Sequence, residues 1–203
     1  MTHEAPDQGL PDRADVLIPV AISVRHVHLS PATIDRLFGA GHQLHVHAEL
    51  SQPGQYAAEE TVDLVGPHGR IGHVRVVGPP RAQDQVEISR SDEFTLGIDA
   101  PVRESGDLHD TPGIRVEGPA GGADLARGVI SALRHVHMSP ADAAVLGVRD
   151  QDRVAIAVES GSRRLVFGDV LVRVSEAFRL ELHLDTDEGN AAGVRPGDMG
   201  VLV

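Results

Sequence analysis

Residues 25–31 read Arg-His-Val-His-Leu-Ser-Pro, and residues 134–140 read Arg-His-Val-His-Met-Ser-Pro. Each copy sets two imidazoles one residue apart in an apolar, strand-like run. Alternate residues of a strand point to one face, so His26 and His28 project together, as do His135 and His137. Two neighbouring imidazoles form a metal chelate suited to zinc. A single His-x-His pair carries little weight, because strand histidines are ordinary. Duplication of the whole Arg-His-x-His-x-Ser-Pro segment points to metal binding. It also suggests a repeated unit that brings two metals, or one shared site, to a common cleft.

Each pair needs further ligands. Glu87, in Gln85-Val86-Glu87-Ile88-Ser89, is a strand carboxylate in the first half. His183, in Leu180-Glu181-Leu182-His183-Leu184-Asp185, is a strand imidazole with apolar flanks. Two His plus Glu, or three His, are both catalytic zinc sets that leave one position open. His45 and His47 form a third His-x-His, but without the Arg before or the Ser-Pro after. The aligned second-half stretch, Val154-Ala155-Ile156-Ala157, has no equivalent. This third pair reads as a solvated strand face.

Arg81, Arg103 and Arg173 fall at turns or strand ends. Planar, bidentate Arg is the expected phosphate partner in a chain without Lys. Ser105 has no base beside it in sequence, so a serine nucleophile is not legible. Asp185–Ala192 reads as a capped helix start with acids in its first turn. It follows His183 directly, which places Asn190 within reach of the same cleft.

Composition narrows the chemistry further. The chain has 0 Cys, which excludes a thiolate nucleophile, a disulfide and Cys-ligated zinc. All 18 basic residues are Arg, which excludes Schiff-base catalysis and a P-loop lysine. A net charge of −12 argues against a nucleic-acid footprint. No apolar run is long enough to span a membrane. Residues 1–15 are polar and acidic, unlike a secretory signal or a basic presequence, and 1–10 read as a disordered tail.

The elements that must position these groups follow from punctuation and pattern. Ser30-Pro31 opens a helical segment ending at Phe38-Gly39; Ser139-Pro140 opens one ending at Leu146-Gly147. Ser at the N-cap, Pro at the first helical position and Gly at the end are helix boundary signals. Strands are expected next at Leu44–Ala48 and Val154–Val158. Further short strands are expected at 18–24, 61–65, 71–77, 114–117, 129–134, 164–174, 180–185 and 199–203, with Gly/Pro turns that suggest antiparallel pairing. The Gly-rich stretch 118–122 reads as the best linker. With no Trp, 1 Tyr and 4 Phe, the core must be aliphatic. The expected fold is mainly β: two small β-barrel domains capped by short α-helices, internally duplicated, with the active site in the cleft between them.

Several long segments resemble the PduL-type phosphate propanoyltransferases, the zinc-dependent phosphotransacylases. They are RHVHLSPATIDRLFG (25–39), LSQPGQYAAEE (50–60), VVGPPRAQDQVEISRSDEFTLGIDAPVRESGDL (76–108), GVISALRHVHMSPADAAVLGV (128–148), DVLVRV (169–174) and LELHLDTDEGNAA (180–192). The resemblance implies the reaction propanoyl-CoA + phosphate ⇌ propanoyl phosphate + CoA, by metal-assisted direct attack of phosphate on the thioester. It implies a continuous barrel over 25–132 and a discontinuous one over 11–24 plus 133–203. Two zinc ions are implied, one on His26, His28 and Glu87 and the other on His135, His137 and His183. Arg81, Arg103, Ser105 and Arg173 match family positions associated with phosphate or catalysis, with Arg173 expected to bind phosphate; Asn190 is expected there too, from its place after His183. Phe94 matches the position that packs on the CoA adenine. A homodimer is implied.

Two features depart from the family pattern. Ser23-Val24 precedes Arg25, where the family more often has Ser-Asn. Residues 1–15 show no apolar helical face of the kind that targets relatives to a bacterial microcompartment for propanediol degradation, so a free cytoplasmic enzyme is expected. The residues alone also leave open a dinuclear metallohydrolase acting on a thioester or phosphoester, and a metal-stabilised binding module.

Overall fold

The structure, a computed structural model, describes residues 16–160 and 163–203. The expected tail, 1–10, lies outside the described residues. The elements in chain order begin with β1 (Ile18–Ser23), β2 (His26–His28), α1 (Pro31–Phe38), β3 (Val46–Glu49), β4 (Tyr56–Val65), β5 (Arg70–Gly78) and β6 (Gln85–Ile88). They continue with α2 (Arg90–Leu96), β7 (Val102–Arg103), β8 (Ile114–Glu117), β9 (Gly122–Leu125), β10 (Val129–Ala132), β11 (His135–Met138) and α3 (Pro140–Leu146). The chain ends with β12 (Arg153–Val158), β13 (Leu165–Val174), β14 (Glu181–Asp185), α4 (Thr186–Ala192) and β15 (Met199–Leu202). The fold is therefore mainly β, with four short helices among the described residues, as the aliphatic, Gly- and Pro-punctuated sequence requires.

Among the described residues the chain divides into two compact units. One takes the residues up to Ala21 with His135–Leu182 and Ala192–Val203; the other takes Ile22–Arg134 and His183–Ala191. By hydrogen bonding there is one closed barrel, in the order β1-β14-β11-β13-β12-β15. There is also a nine-stranded half-barrel sheet along β7-β10-β6-β2-β5-β4-β8-β9, with β3 added beside β4.

Both helices that follow an RHVH segment start as their punctuation dictates. Ser30 caps α1 by accepting from the Thr33 amide, and Ser139 caps α3 in a full capping box with Asp142. The α2 helix was not among the expected elements. Its signal was present: Ser89 and Asp92 form a capping box, and Gly97 ends the helix in the left-handed region.

Two expectations are corrected. The stretch at 118–122 is not a linker but a hairpin turn, in which the Gly118 amide donates to the Gly121 carbonyl at 2.8 Å and β8 pairs antiparallel with β9. Nor is pairing uniformly antiparallel: β2 runs parallel to β5, β10 to both β6 and β7, and β11 to β13. The reason is burial. Strands β6, β10 and β11 are buried along nearly their whole length. Their polar residues (Gln85, Glu87, Ser131 and His137) are buried with the apolar ones, as in strands covered on both faces, the setting in which parallel pairing occurs.

The half-barrel core is a cluster including Val27, Leu29, Val76, Val86, Ile88 and Val129. Strand alternation at β2 thus sends Val27 and Leu29 into that core and frees His26 and His28 for the opposite face.

Candidate metal and phosphate site

The first triad is set by strand register. β2 pairs antiparallel with β6 so that His26 stands opposite Glu87, Val27 opposite Val86, and His28 opposite Gln85. His26, His28, Glu87 and Gln85 therefore share one face, with a Val pair on the other. A slip of one residue would exchange the ligands for the core. The ring nitrogens and a Glu87 oxygen all lie within 4.8 Å of one another.

The tautomers follow from the hydrogen bonds. His26 Nδ1 lies 2.9 Å from the Val24 carbonyl, and His28 Nδ1 lies 3.1 Å from the Val77 carbonyl. A carbonyl only accepts, so both Nδ1 atoms carry the hydrogen. Both Nε2 atoms then present bare lone pairs, and these face each other at 3.1 Å. Two lone pairs at that distance repel unless a cation lies between them. Two imidazole nitrogens on one tetrahedral zinc stand about 3.4 Å apart, so the pair nearly matches a chelate already. Burial, reinforced by the neighbouring His26, pushes the His28 imidazole down to about 3, so it stays a neutral ligand at physiological pH. Glu87 is buried at 7 % exposure, with Oε2 3.6 Å from His26 Nε2 and Oε1 3.9 Å from His28 Nε2. This donor set fits a divalent metal.

A polar network holds the carboxylate from behind. Gln85 Nε2 donates to Glu87 Oε1 at 2.5 Å and to Ser105 Oγ at 2.8 Å. Ser105 Oγ donates to Glu87 Oε1 at 3.0 Å and accepts from Arg81 Nη1 at 3.2 Å. The Gly106 amide donates to Gln85 Oε1 at 2.9 Å, completing the amide's contacts. The Ser105 hydroxyl thus spends its one hydrogen on Glu87 and both lone pairs on Arg81 and Gln85. Gln85, fully buried, was missed by sequence reasoning; its only sequence signal is its place two residues before Glu87.

The remaining candidates are placed as follows. Arg81 follows the turn Gly78-Pro79-Pro80, whose first Gly-Pro peptide is cis. Arg103 ends β7 and reaches Asp107 at 3.7 Å. Phe94 lies on α2 and is 79 % exposed. Its helix is tied to the first triad's strand: Arg25 donates from Nε to both Asp92 oxygens, at 2.9 and 2.8 Å.

The second copy repeats the pattern. His135 and His137 lie on β11 with ring centroids 4.7 Å apart, and His183 lies on β14, the next strand of the same barrel. Their ring nitrogens also lie within 4.8 Å of one another. Arg173 stands opposite His137 in the parallel β11–β13 register, and its guanidinium sits 5.7 Å from the Phe178 ring. Asn190 lies in α4, which opens with Asp185 accepting from the Glu188 amide at 2.7 Å. His45 and His47 are both exposed, as a solvated face requires, but His45 stands just before β3, where its ring also meets His42 and Glu60.

A duplicated β fold with a two-His-one-carboxylate set and a three-His set defines a class of protein with the donors of open metal sites. Comparison with known proteins gives the family. The family model described as phosphate propanoyltransferase matches residues 19–195. The phosphate propanoyltransferase of Thermotoga maritima is 56% identical over 186 residues, covering 92% of this chain and 89% of its own. That of Citrobacter freundii is 54% identical over 176 residues, with 87% and 83% covered. That of Shewanella putrefaciens is 49% identical over 180 residues, with 89% and 85% covered. The chain belongs to the phosphate propanoyltransferase family.

Proposed function

We propose that the chain transfers a short acyl group between coenzyme A and inorganic phosphate, with propanoyl-CoA as the substrate. The observation that carries this reading is the pair of bare Nε2 atoms 3.1 Å apart beside buried Glu87, in a chain of this family. His26, His28 and Glu87 hold one zinc ion, and His135, His137 and His183 hold a second. Bound there, zinc supplies a Lewis acid for an oxyanion or a carbonyl oxygen.

In the reaction, a phosphate oxygen attacks the thioester carbonyl carbon. The new C–O bond forms as the C–S bond breaks, and the proton of hydrogen phosphate ends on the CoA sulfur. With neither Cys nor Lys in the chain, no cysteinyl or lysyl acyl-enzyme can form, which supports direct transfer to phosphate without a covalent intermediate. Arg81 and Arg103 offset the charge of the incoming phosphate, and Arg173 and Asn190 bind it. The exposed Phe94 ring offers the CoA adenine a stacking face. Ser105 acts as a positioning residue: its hydroxyl is fully engaged with Glu87, Gln85 and Arg81, and it fixes which Glu87 oxygen turns toward the imidazoles.

The test is metal dependence of acyl phosphate formation, read as hydroxamate. Chelation is expected to abolish it and added zinc to restore it. Full activity in demonstrably metal-free protein would overturn the proposal.

A further inference from the structure

We propose that His42, His45 and Glu60 form a third divalent-metal site, separate from both duplicated triads. His42 follows α1 in the connection to β3, His45 immediately precedes β3, and Glu60 lies on β4. His42 Nε2 and His45 Nδ1 each lie 2.8 Å from the same oxygen, Glu60 Oε1. All three ligand atoms fall within 4.8 Å of one another.

The cluster is held in place by its surroundings. Glu60 is 9 % exposed, and the His45 amide donates to both its oxygens, at 3.2 and 3.1 Å. The Glu59 amide donates to the His45 carbonyl at 2.8 Å, which fixes the backbone of His45 against β4. The Phe38 ring stacks on His42 with centroids 5.1 Å apart, which sets the plane of that imidazole.

Two imidazoles and one carboxylate on a fixed backbone are a ligand set for a late first-row divalent ion, zinc above all, and a poor one for magnesium or calcium. Loading needs only a tautomer shift in each ring, moving the hydrogens to His42 Nδ1 and His45 Nε2, so no co-reactant is required. The His45 side chain is 66% exposed, so solvent and a metal ion reach that ring directly. Water fills the remaining coordination. The second half has Val154-Ala155-Ile156-Ala157 at the aligned strand, so the site belongs to one copy of the repeat. Its effect is to clip the α1–β3 connection to β4.

The test is zinc per chain after equilibrium dialysis against buffered free zinc, with the full-length protein compared with His45→Ala and His42→Gln. Wild type is expected to hold about one equivalent more than either variant, with CoA release unchanged in both. Thermal melting adds a second readout: added zinc should raise the midpoint less in the variants. Equal zinc content and equal zinc-induced shifts in wild type and both variants would overturn the site.

Discussion

At the scale of single residues, the first triad rests on a contrast between Val and His along one strand. His28→Ala and Glu87→Gln each remove a donor and are expected to lower zinc content at that site and catalysis by about a hundredfold or more, since even outer partners matter by 10–100-fold. Metal analysis beside the rate separates loss of ligand from loss of fold. Ser105→Ala is expected to fall by roughly 10–100-fold with residual turnover, because it loosens Glu87 without removing a reacting group. Complete loss, with a trapped acyl-serine in the wild type, would make Ser105 a nucleophile instead. Phe94→Ala is expected to raise KM for acyl-CoA with kcat and melting temperature nearly unchanged, as befits a ring 79 % exposed. The four histidines of the repeated segment stand out because duplication and spacing name them, whereas Glu87, His183 and the Arg positions lie outside the repeat and rest on strand context and resemblance. Gln85's contact with Ser105 and the Glu60 cluster were not legible, because those partners lie 20 and 15–18 residues apart and are brought together only by the fold.

At the scale of elements, register and capping decide where these groups stand. Asp92 closes the α2 capping box and receives Arg25, so Asp92→Ala should cost about 1–3 kcal/mol of stability, measured by denaturant unfolding. Gly66 touches the Leu96 carbonyl so closely that a Cβ there would collide with backbone. Gly66→Ala is expected to destabilise by about 1–3 kcal/mol as α2 is pushed off the β4–β5 turn.

The β4–β8 pair carries an acid-sensitive cluster. The His73 amide, with Arg70, holds Asp63 below the usual carboxylate range, and Arg115 with Arg70 does the same for Glu117. Carboxyls depressed in the folded state stabilise it above their unfolded values, near pH 4, and lose that contribution as pH falls through the folded values. Arg70→Ala is therefore expected to move the acid-unfolding midpoint to higher pH. Helices α1 and α3 were legible from Ser-Pro and Gly. The parallel pairings were not, because strand direction depends on which distant strand lies alongside, and short mixed stretches such as QVEI, VISA and HVHM do not encode it.

At the scale of the whole molecule, an aliphatic core, a closed barrel and a half-barrel sheet present the same short motif twice. The mainly β class followed from composition and turn spacing. The closed-versus-open difference between the two sheets did not, since closure depends on the pairing of β1 with β15 at opposite ends of the described chain. The absence of Cys makes the central claim simple to test, because a thiol reagent sees only released CoA. The decisive measurement is CoA release from propanoyl-CoA by zinc-replete protein, with and without phosphate. Release that requires phosphate and matches acyl phosphate formed is the expected result. Release at the same rate without phosphate would make the protein a thioester hydrolase and contradict the account.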